Sequence, residues 1–347
     1  MSNRDEVESV PTLQSYLELL RLPNVFTAIA DVSMGFFLVS VGSPGLQGGG
    51  WAVSDNDPRK LVSIALWTLG LLAAASALFY SAGMVLNDVF DIELDREEQP
   101  YRPLPSGRIG LGAARWLGWQ LLTLGIMFAS AAAVLLDKFP PAHLADDFVL
   151  SWRPALVAAG LALLIVLYNA GLKRTLLGPV AMGGCRMLNV LMGMSVLRGP
   201  WGLACWLTAA GIGVYIAGVT WFARNDARRS DRRQLIAATA VILSGVGLVC
   251  WLPWQNAREL WLLLGKGDFM QWNLFIALWA GYILFHCGSA IREPSPGPVR
   301  GVVRRLITAL IFLDAAACYG GAGQFYAIVV AALVIPMTVL GWWVDRG

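Results

Sequence analysis

Asn87, Asp91 and Asp95 recur at i, i+4 and i+8 within Asn87-Asp88-Val89-Phe90-Asp91-Ile92-Glu93-Leu94-Asp95. On a helix, four residues turn about 400°, so these side chains share one face at steps of about 6 Å. A row of hard oxygen donors, with Asp88 beside it, suits Mg²⁺. That ion prefers oxygen ligands and often bridges one or two carboxylates to substrate phosphates. Arg96, Arg102 and Arg108 follow at once. Carboxylates for a cation beside guanidiniums for phosphate oxygens make a diphosphate site. The competing reading is a solvated acidic helix end stopped by Pro100. Position weakens it, because Asn87 and Asp88 directly follow an apolar run, where polar groups tend to be functional.

A second polar cluster reads Arg224-Asn225-Asp226-Ala227-Arg228-Arg229-Ser230-Asp231-Arg232-Arg233. Asn225, Asp226 and Asp231 could serve a second cation and Arg228 a phosphate. The same stretch could equally be a basic anchor at a helix end. A third region adds Tyr168, Lys173 and Arg174.

These clusters need elements to position them, and composition says which. The chain has 347 residues, 57% hydrophobic and only 14% charged, with mean hydropathy +0.60. A soluble domain carries roughly 25% charge, because its surface must face water. A lipid-facing surface needs none. The expected fold is therefore all-α: a polytopic transmembrane bundle of nine or ten spans around a central cavity. Apolar segments of spanning length fall near 24–42, 61–86, 111–136, 154–170, 176–197, 203–223, 234–254, 272–291, 302–319 and 323–343. The last two are the least clearly divided. Residues 1–23 read as a polar segment with an interfacial helix over Thr12 to Leu22, and 24–347 as one membrane domain. No cleavable signal peptide is expected from the polar start.

With the N-terminus inside, eighteen of the 26 Lys and Arg fall on the cytoplasmic side, which also receives all three polar clusters. This places the protein in a membrane, expected to be a bacterial inner membrane, with its motif loops in the cytoplasm. The basic residues are spread over separate loops, which argues against nucleic acid. The five Cys lie in apolar stretches without CxxC spacing, and the two His are far apart, so they suggest packing rather than metal. Trp251, Trp254, Trp342 and Trp343 read as interface anchors. Asp31, Arg186, Asn189 and Asp314 are polar residues inside spans. Asp31 and Arg186 could pair across the cavity and touch an acceptor, or form a purely structural pair; Asp314 reads as structural.

Asn87-Asp88-x-x-Asp91-x-x-x-Asp95, followed by Arg102-Pro103-Leu104-Pro105-Ser106-Gly107-Arg108, resembles the first signature of the UbiA superfamily of intramembrane prenyltransferases. Arg21-Leu22-Pro23-Asn24, the stretch from Tyr168 to Arg174 and the polar loop after span six extend the resemblance over most of the chain. Arg224 to Arg233 and Gly184 to Asn189 look most like the EboC-like bacterial subgroup. The resemblance implies that an isoprenyl diphosphate binds through Mg²⁺, with two ions expected, and passes its prenyl group to an acceptor. Asn87, Asp91 and Asp95 match the first metal motif. Lys173 and Arg174 match a basic pair on the diphosphate, and Arg102 matches the Arg of the Arg-Pro element. Asn24, Asp31, Arg186 and Asn189 are expected to line the cavity near the acceptor. The second motif departs from the usual DxxxD: Asp226 and Asp231 are five apart, with Ala227 four before Asp231.

In the mechanism this implies, cations neutralise the diphosphate leaving group while apolar walls keep water from the allylic centre. A transporter is a rival reading, but it would more often show internal repeats with interrupted helices, and no clear repeat is visible. A catalytically silent, lipid-binding relative is the other rival, favoured by the irregular second motif.

Overall fold

The computed structural model describes residues 13–41, 58–138, 152–197, 200–224, 230–264 and 266–344. At 58, 60, 61, 252–264 and 266–269 it describes the backbone alone. Asn225, Asp226 and Arg228 lie outside the described residues, as does the side chain of Trp254.

The described residues are helical wherever apolar runs predict spans. The helices are α1 (Leu13–Leu20), α2 (Val25–Ser40), α3 (Pro58–Phe90), α4 (Ile92–Glu98), α5 (Leu111–Asp137), α6 (Arg153–Ala170) and α7 (Gly178–Met194). The chain continues through α8 (Leu203–Phe222), α9 (Arg232–Leu264), α10 (Lys266–Arg292), α11 (Pro296–Gly321), α12 (Gln324–Ala331) and α13 (Val334–Val344). Eight segments are long and apolar enough to cross a membrane on their own: α2, α3, α5, α6, α8, α9, α10, and α12 with α13 together. The other two expected spans, α7 and α11, are less apolar for a visible reason. Helix α7 has 17 residues and carries Arg186 and Asn189. Helix α11 carries Arg300, Arg304, Arg305 and Asp314. Both bury much of their length among other helices, where polar groups can be satisfied. Gly323, at φ 103°, separates α11 from α12, so the last two expected spans are distinct helices.

Packing follows two closed circuits that share the α2–α7 contact. One runs α2–α3–α5–α6–α7; the other runs α2–α7–α8–α9–α10–α11. Small residues allow the shared contacts. A Cβ at Gly193 would meet the Val32 carbonyl oxygen, and one at Gly35 would meet that of Val190. Glycine therefore lets α2 and α7 approach backbone to backbone. Outward faces carry exposed Leu66, Trp67, Trp116, Met127, Leu163 and Phe285, a surface suited to lipid.

The expected interfacial helix is α1. Leu19 packs with Val85, Val89, Leu104 and Ile109, so α1 lies over the end of α3 and the loop after α4. Arg108 fastens it there: Nη2 donates to Glu18 Oε2 at 2.8 Å and to the Tyr101 carbonyl at 2.9 Å.

Candidate active site

Helix α3 runs four residues beyond the apolar segment that predicts it, and those residues are Asn87 to Phe90. Asp91 (φ −101°, ψ 11°) interrupts the helix before α4. The backbone ladder nevertheless continues: Asp91 N–H donates to Asn87 O at 3.0 Å, Asp95 N–H to Asp91 O at 2.8 Å, and Gln99 N–H to Asp95 O at 2.9 Å. The i, i+4, i+8 relation of the acidic row survives the interruption.

The row's partners divide it in two. Lys173, in the short 3-10 turn Leu172–Arg174, places Nζ 3.0 Å from Asn87 Oδ1 and 2.6 Å from Asp91 Oδ2. Arg174 Nη2 donates to Asp91 Oδ1 at 3.2 Å. Burial pulls the Lys173 ammonium below the usual lysine value, and its hydrogen bond to Asp91 opposes that pull. On the other side, Arg102 Nη1 meets both Asp95 oxygens, at 3.0 and 2.9 Å, and lies 3.5 Å from Asp88 Oδ1. Arg21 Nη2 also reaches Asp88 Oδ1, at 3.1 Å. Asp88 and Asp95 are buried, so each needs the cation it has.

Of the three arginines that follow the row, only Arg102 reaches the carboxylates facing the site. Arg96 pairs with exposed Glu93, and Arg108 holds α1. Sequence reasoning left Arg21 out of the site, although it opens the Arg21-Leu22-Pro23-Asn24 element. Among the described residues it is the one non-glycine with positive φ, at 48°. A left-handed non-glycine costs of order 1–3 kcal/mol and tends to mark functional sites. Here it aims a guanidinium at Asp88, 67 residues away.

A cavity of about 190 Å³ opens beside this cluster, enclosed by α2, α3, α6 and α7. Asn87, Arg21 and Tyr168 lie at its charged end, and Phe79, Met84, Leu161, Ile165 and Met182 give it apolar walls. Farther along it lie Ser76, Arg186 and Asn189. Arg186 Nη1 donates to Asp31 Oδ2 at 2.8 Å and Nη2 to Thr27 Oγ1 at 2.9 Å. Its guanidinium also stands 5.4 Å over the Tyr80 ring. Asn189 Nδ2 donates to the Ala28 carbonyl at 2.8 Å. Asp314 adjoins this group from α11, its buried carboxyl facing that of Asp31. Asn24 ends the 3-10 turn before α2 and lies near Tyr80. Asn169 also lines the cavity, with Nδ2 donating to Ile165 O at 3.0 Å. It lacked a sequence signal, being one polar residue in an apolar span.

Asp231 has a local task. Its Oδ1 accepts from the Arg233 N–H at 3.0 Å, capping α9. The adjacent Ser230 N–H donates to Pro294 O, and Arg232 Nη2 to Arg292 O. The end of the second polar loop is thus tied to the α10–α11 connection.

The donor chemistry fits Mg²⁺ shared with a ligand. Every donor in the row is a hard oxygen, and the Lys173 ammonium already bridges the two that a cation would bridge. No group of three His, Cys, Asp or Glu among the described residues is placed to hold an ion unaided. Remaining coordination would therefore fall to Asn87, phosphate oxygens and water.

Fold and site together define a polytopic membrane protein with a charged cluster, rich in carboxylates and basic groups, at one end of an apolar cavity. The chain belongs to the UbiA prenyltransferase family, whose model matches residues 50–292. It is 33% identical over 128 residues to the digeranylgeranylglyceryl phosphate synthase of Saccharolobus solfataricus, covering 37% of each chain. It is 29% identical over 167 residues to the synthase of Methanococcoides burtonii, covering 47% of each. The matched stretches thus span less than half the length of these relatives. They are not EboC-like proteins, so the subgroup expected from Arg224 to Arg233 and Gly184 to Asn189 is not the one they represent. In structure the chain is similar to a UbiA homolog from Archaeoglobus fulgidus bound to GPP and Mg²⁺. The TM-score is 0.55 at 15% identity, over 92% of this chain and 99% of that one. It is also similar to a digeranylgeranylglyceryl phosphate synthase, with TM-score 0.54 at 19% identity, over 92% and 98%. At such identities the likeness establishes the fold.

Proposed function

We propose that this chain is a Mg²⁺-dependent intramembrane prenyltransferase that moves an isoprenyl group from a prenyl diphosphate to an aromatic or hydroxyl-bearing acceptor. One observation carries the reading: the Asn87–Asp91–Lys173 cluster stands at the end of a cavity with apolar walls. A diphosphate needs the first and a prenyl chain the second. The family membership and the GPP and Mg²⁺ bound by the A. fulgidus homolog support the same pairing.

Asn87, Asp91 and Asp95 would hold Mg²⁺ with the diphosphate, with Asp88 beside them. Asn225, Asp226 and Asp231 are the proposed donors for a second ion. When bound, Mg²⁺ supplies charge neutralisation to the leaving group. Lys173, Arg174 and Arg102 would turn from the carboxylates toward phosphate oxygens, with Tyr168 and Arg228 alongside. Phe79, Leu161 and Ile165 would hold the chain and exclude water from the allylic carbon. The C–O bond breaks with its electron pair leaving on the diphosphate. The acceptor's nucleophilic atom bonds to that carbon and gives up its proton to the released diphosphate. Asn24, Asp31, Arg186 and Asn189 would shape the acceptor end. The motif-bearing face is proposed to be cytoplasmic, in a bacterial inner membrane.

The test is turnover. Purified protein in nanodiscs, given Mg²⁺, labelled prenyl diphosphate and a membrane lipid extract, should release diphosphate and form a prenylated product visible by mass spectrometry. Binding without turnover across aromatic and hydroxyl-bearing acceptors would instead favour the silent, lipid-binding reading. Asp231 favours that reading too, because its carboxylate already caps α9.

A further inference from the structure

Away from the active-site cavity, α10 and α11 form a groove on their outward side. One part, about 570 Å³, is lined by Phe275, Leu278, Tyr282, Arg304, Arg305 and Phe312 among others. A second part, about 410 Å³, shares Phe275 and Phe312 with the first and continues to Tyr319 and Gln324. The two form one path. From Arg305 to Tyr319 it follows α11 for about 21 Å at about 1.5 Å per residue. That exceeds half of the roughly 30 Å hydrocarbon thickness, so the path suits an extended lipid chain.

The two ends differ in charge. Arg304 and Arg305 stand exposed at the end nearer the α10–α11 connection, and neither forms an ion pair among the described residues. Arg305 Nη1 donates to His286 Nδ1 at 3.3 Å, which holds that guanidinium against α10. Arg300, one turn earlier, is also exposed. The far end is neutral. Any lipid-facing groove collects hydrocarbon, and this alone selects nothing. Two uncompensated guanidiniums at one end do select. Their planar forks match phosphate oxygens, and the low dielectric of the boundary strengthens the attraction.

We propose that this groove binds an anionic phospholipid, its phosphate on Arg304 and Arg305 and one acyl chain along Phe275 and Phe312. The site is separate from the cavity enclosed by α2, α3, α6 and α7. Its occupant would brace α11, which carries Asp314 and packs on α2.

The test uses the full chain in detergent, depleted of lipid, with phosphatidylglycerol, phosphatidylcholine or glycerol 1-phosphate added and bound lipid read by native mass spectrometry. Wild type should retain phosphatidylglycerol at least tenfold better than phosphatidylcholine. R304Q/R305Q should lose that preference while keeping the wild-type thermal melt and monodisperse elution in detergent, which show that the variant is folded. Leu278→Trp, filling the groove at an exposed position, should weaken retention of phosphatidylglycerol. An unchanged preference in R304Q/R305Q would overturn the proposal. So would competition by glycerol 1-phosphate at equal concentration, because it would reduce the site to one for free phosphate.

Discussion

Lys173 is the residue on which the charged cluster turns, because one ammonium serves both Asn87 and Asp91. Lys173→Met keeps the stem and removes the charge, so it should weaken prenyl diphosphate binding at least tenfold, about 1.4 kcal/mol. Titration calorimetry would measure this, and unchanged affinity would remove Lys173 from the site. At the other end of the cavity, Asp31 and Asp314 share one nearby cation, Arg186. Asp31→Asn leaves a buried guanidinium without its ion-pair partner and should cost about 3–5 kcal/mol in thermal unfolding. Asp314→Asn should change stability by less than about 1 kcal/mol, because the amide is nearly isosteric with the carboxyl facing Asp31 and can donate to Asp31 in its place. A large loss for Asp314→Asn would show that this carboxylate carries something the geometry does not. The acidic row was legible because i, i+4 spacing is written in the chain. Arg21 was not, because its reach to Asp88 depends on a left-handed turn and a partner 67 residues away. Asp231 carried two signals, a cluster acid and an N-cap residue before a helix. The structure uses it as the cap.

At the scale of elements, periodicity and apolar length placed all ten expected segments on helices, but α9 runs ten residues past its expected end, α10 and α11 each begin six residues early, and the last segment is split into α12 and α13. Ends were less legible. The end of α3 runs past its apolar stretch because its polar residues find cations rather than water, and hydropathy does not register pairing. Helices α7 and α11 were readable as spans only with tolerance for Arg186 and Asp314, whose settings come from neighbouring helices. Close approach was hidden as well. Gly193 and Gly160 look alike in sequence, yet a Cβ at Gly193 would meet the Val32 carbonyl oxygen while one at Gly160 would meet nothing within 4 Å. Gly193→Ala should therefore separate α2 from α7 and destabilise by about 1–3 kcal/mol. Gly160→Ala should be neutral or stabilise by up to about 1 kcal/mol. Equal effects in thermal melts would contradict the packing of α2 on α7.

At the scale of the molecule, charge and hydropathy together order the chain across a membrane. Helix α5 separates Glu98 from Lys138, so cysteines at these positions should be labelled from opposite sides of intact membranes, Glu98→Cys from the cytoplasm. Labelling of both from one side would break the alternation of spans. The central claim, however, concerns what the cavity and its charged end hold together. The most direct measurement is binding of geranyl, farnesyl and geranylgeranyl diphosphates to purified protein, with and without Mg²⁺, for wild type and Asp91→Ala. The account predicts Mg²⁺-dependent binding of at least one chain length, lost in Asp91→Ala. Failure of folded wild type to bind any of the three, or equal binding by Asp91→Ala, would contradict it.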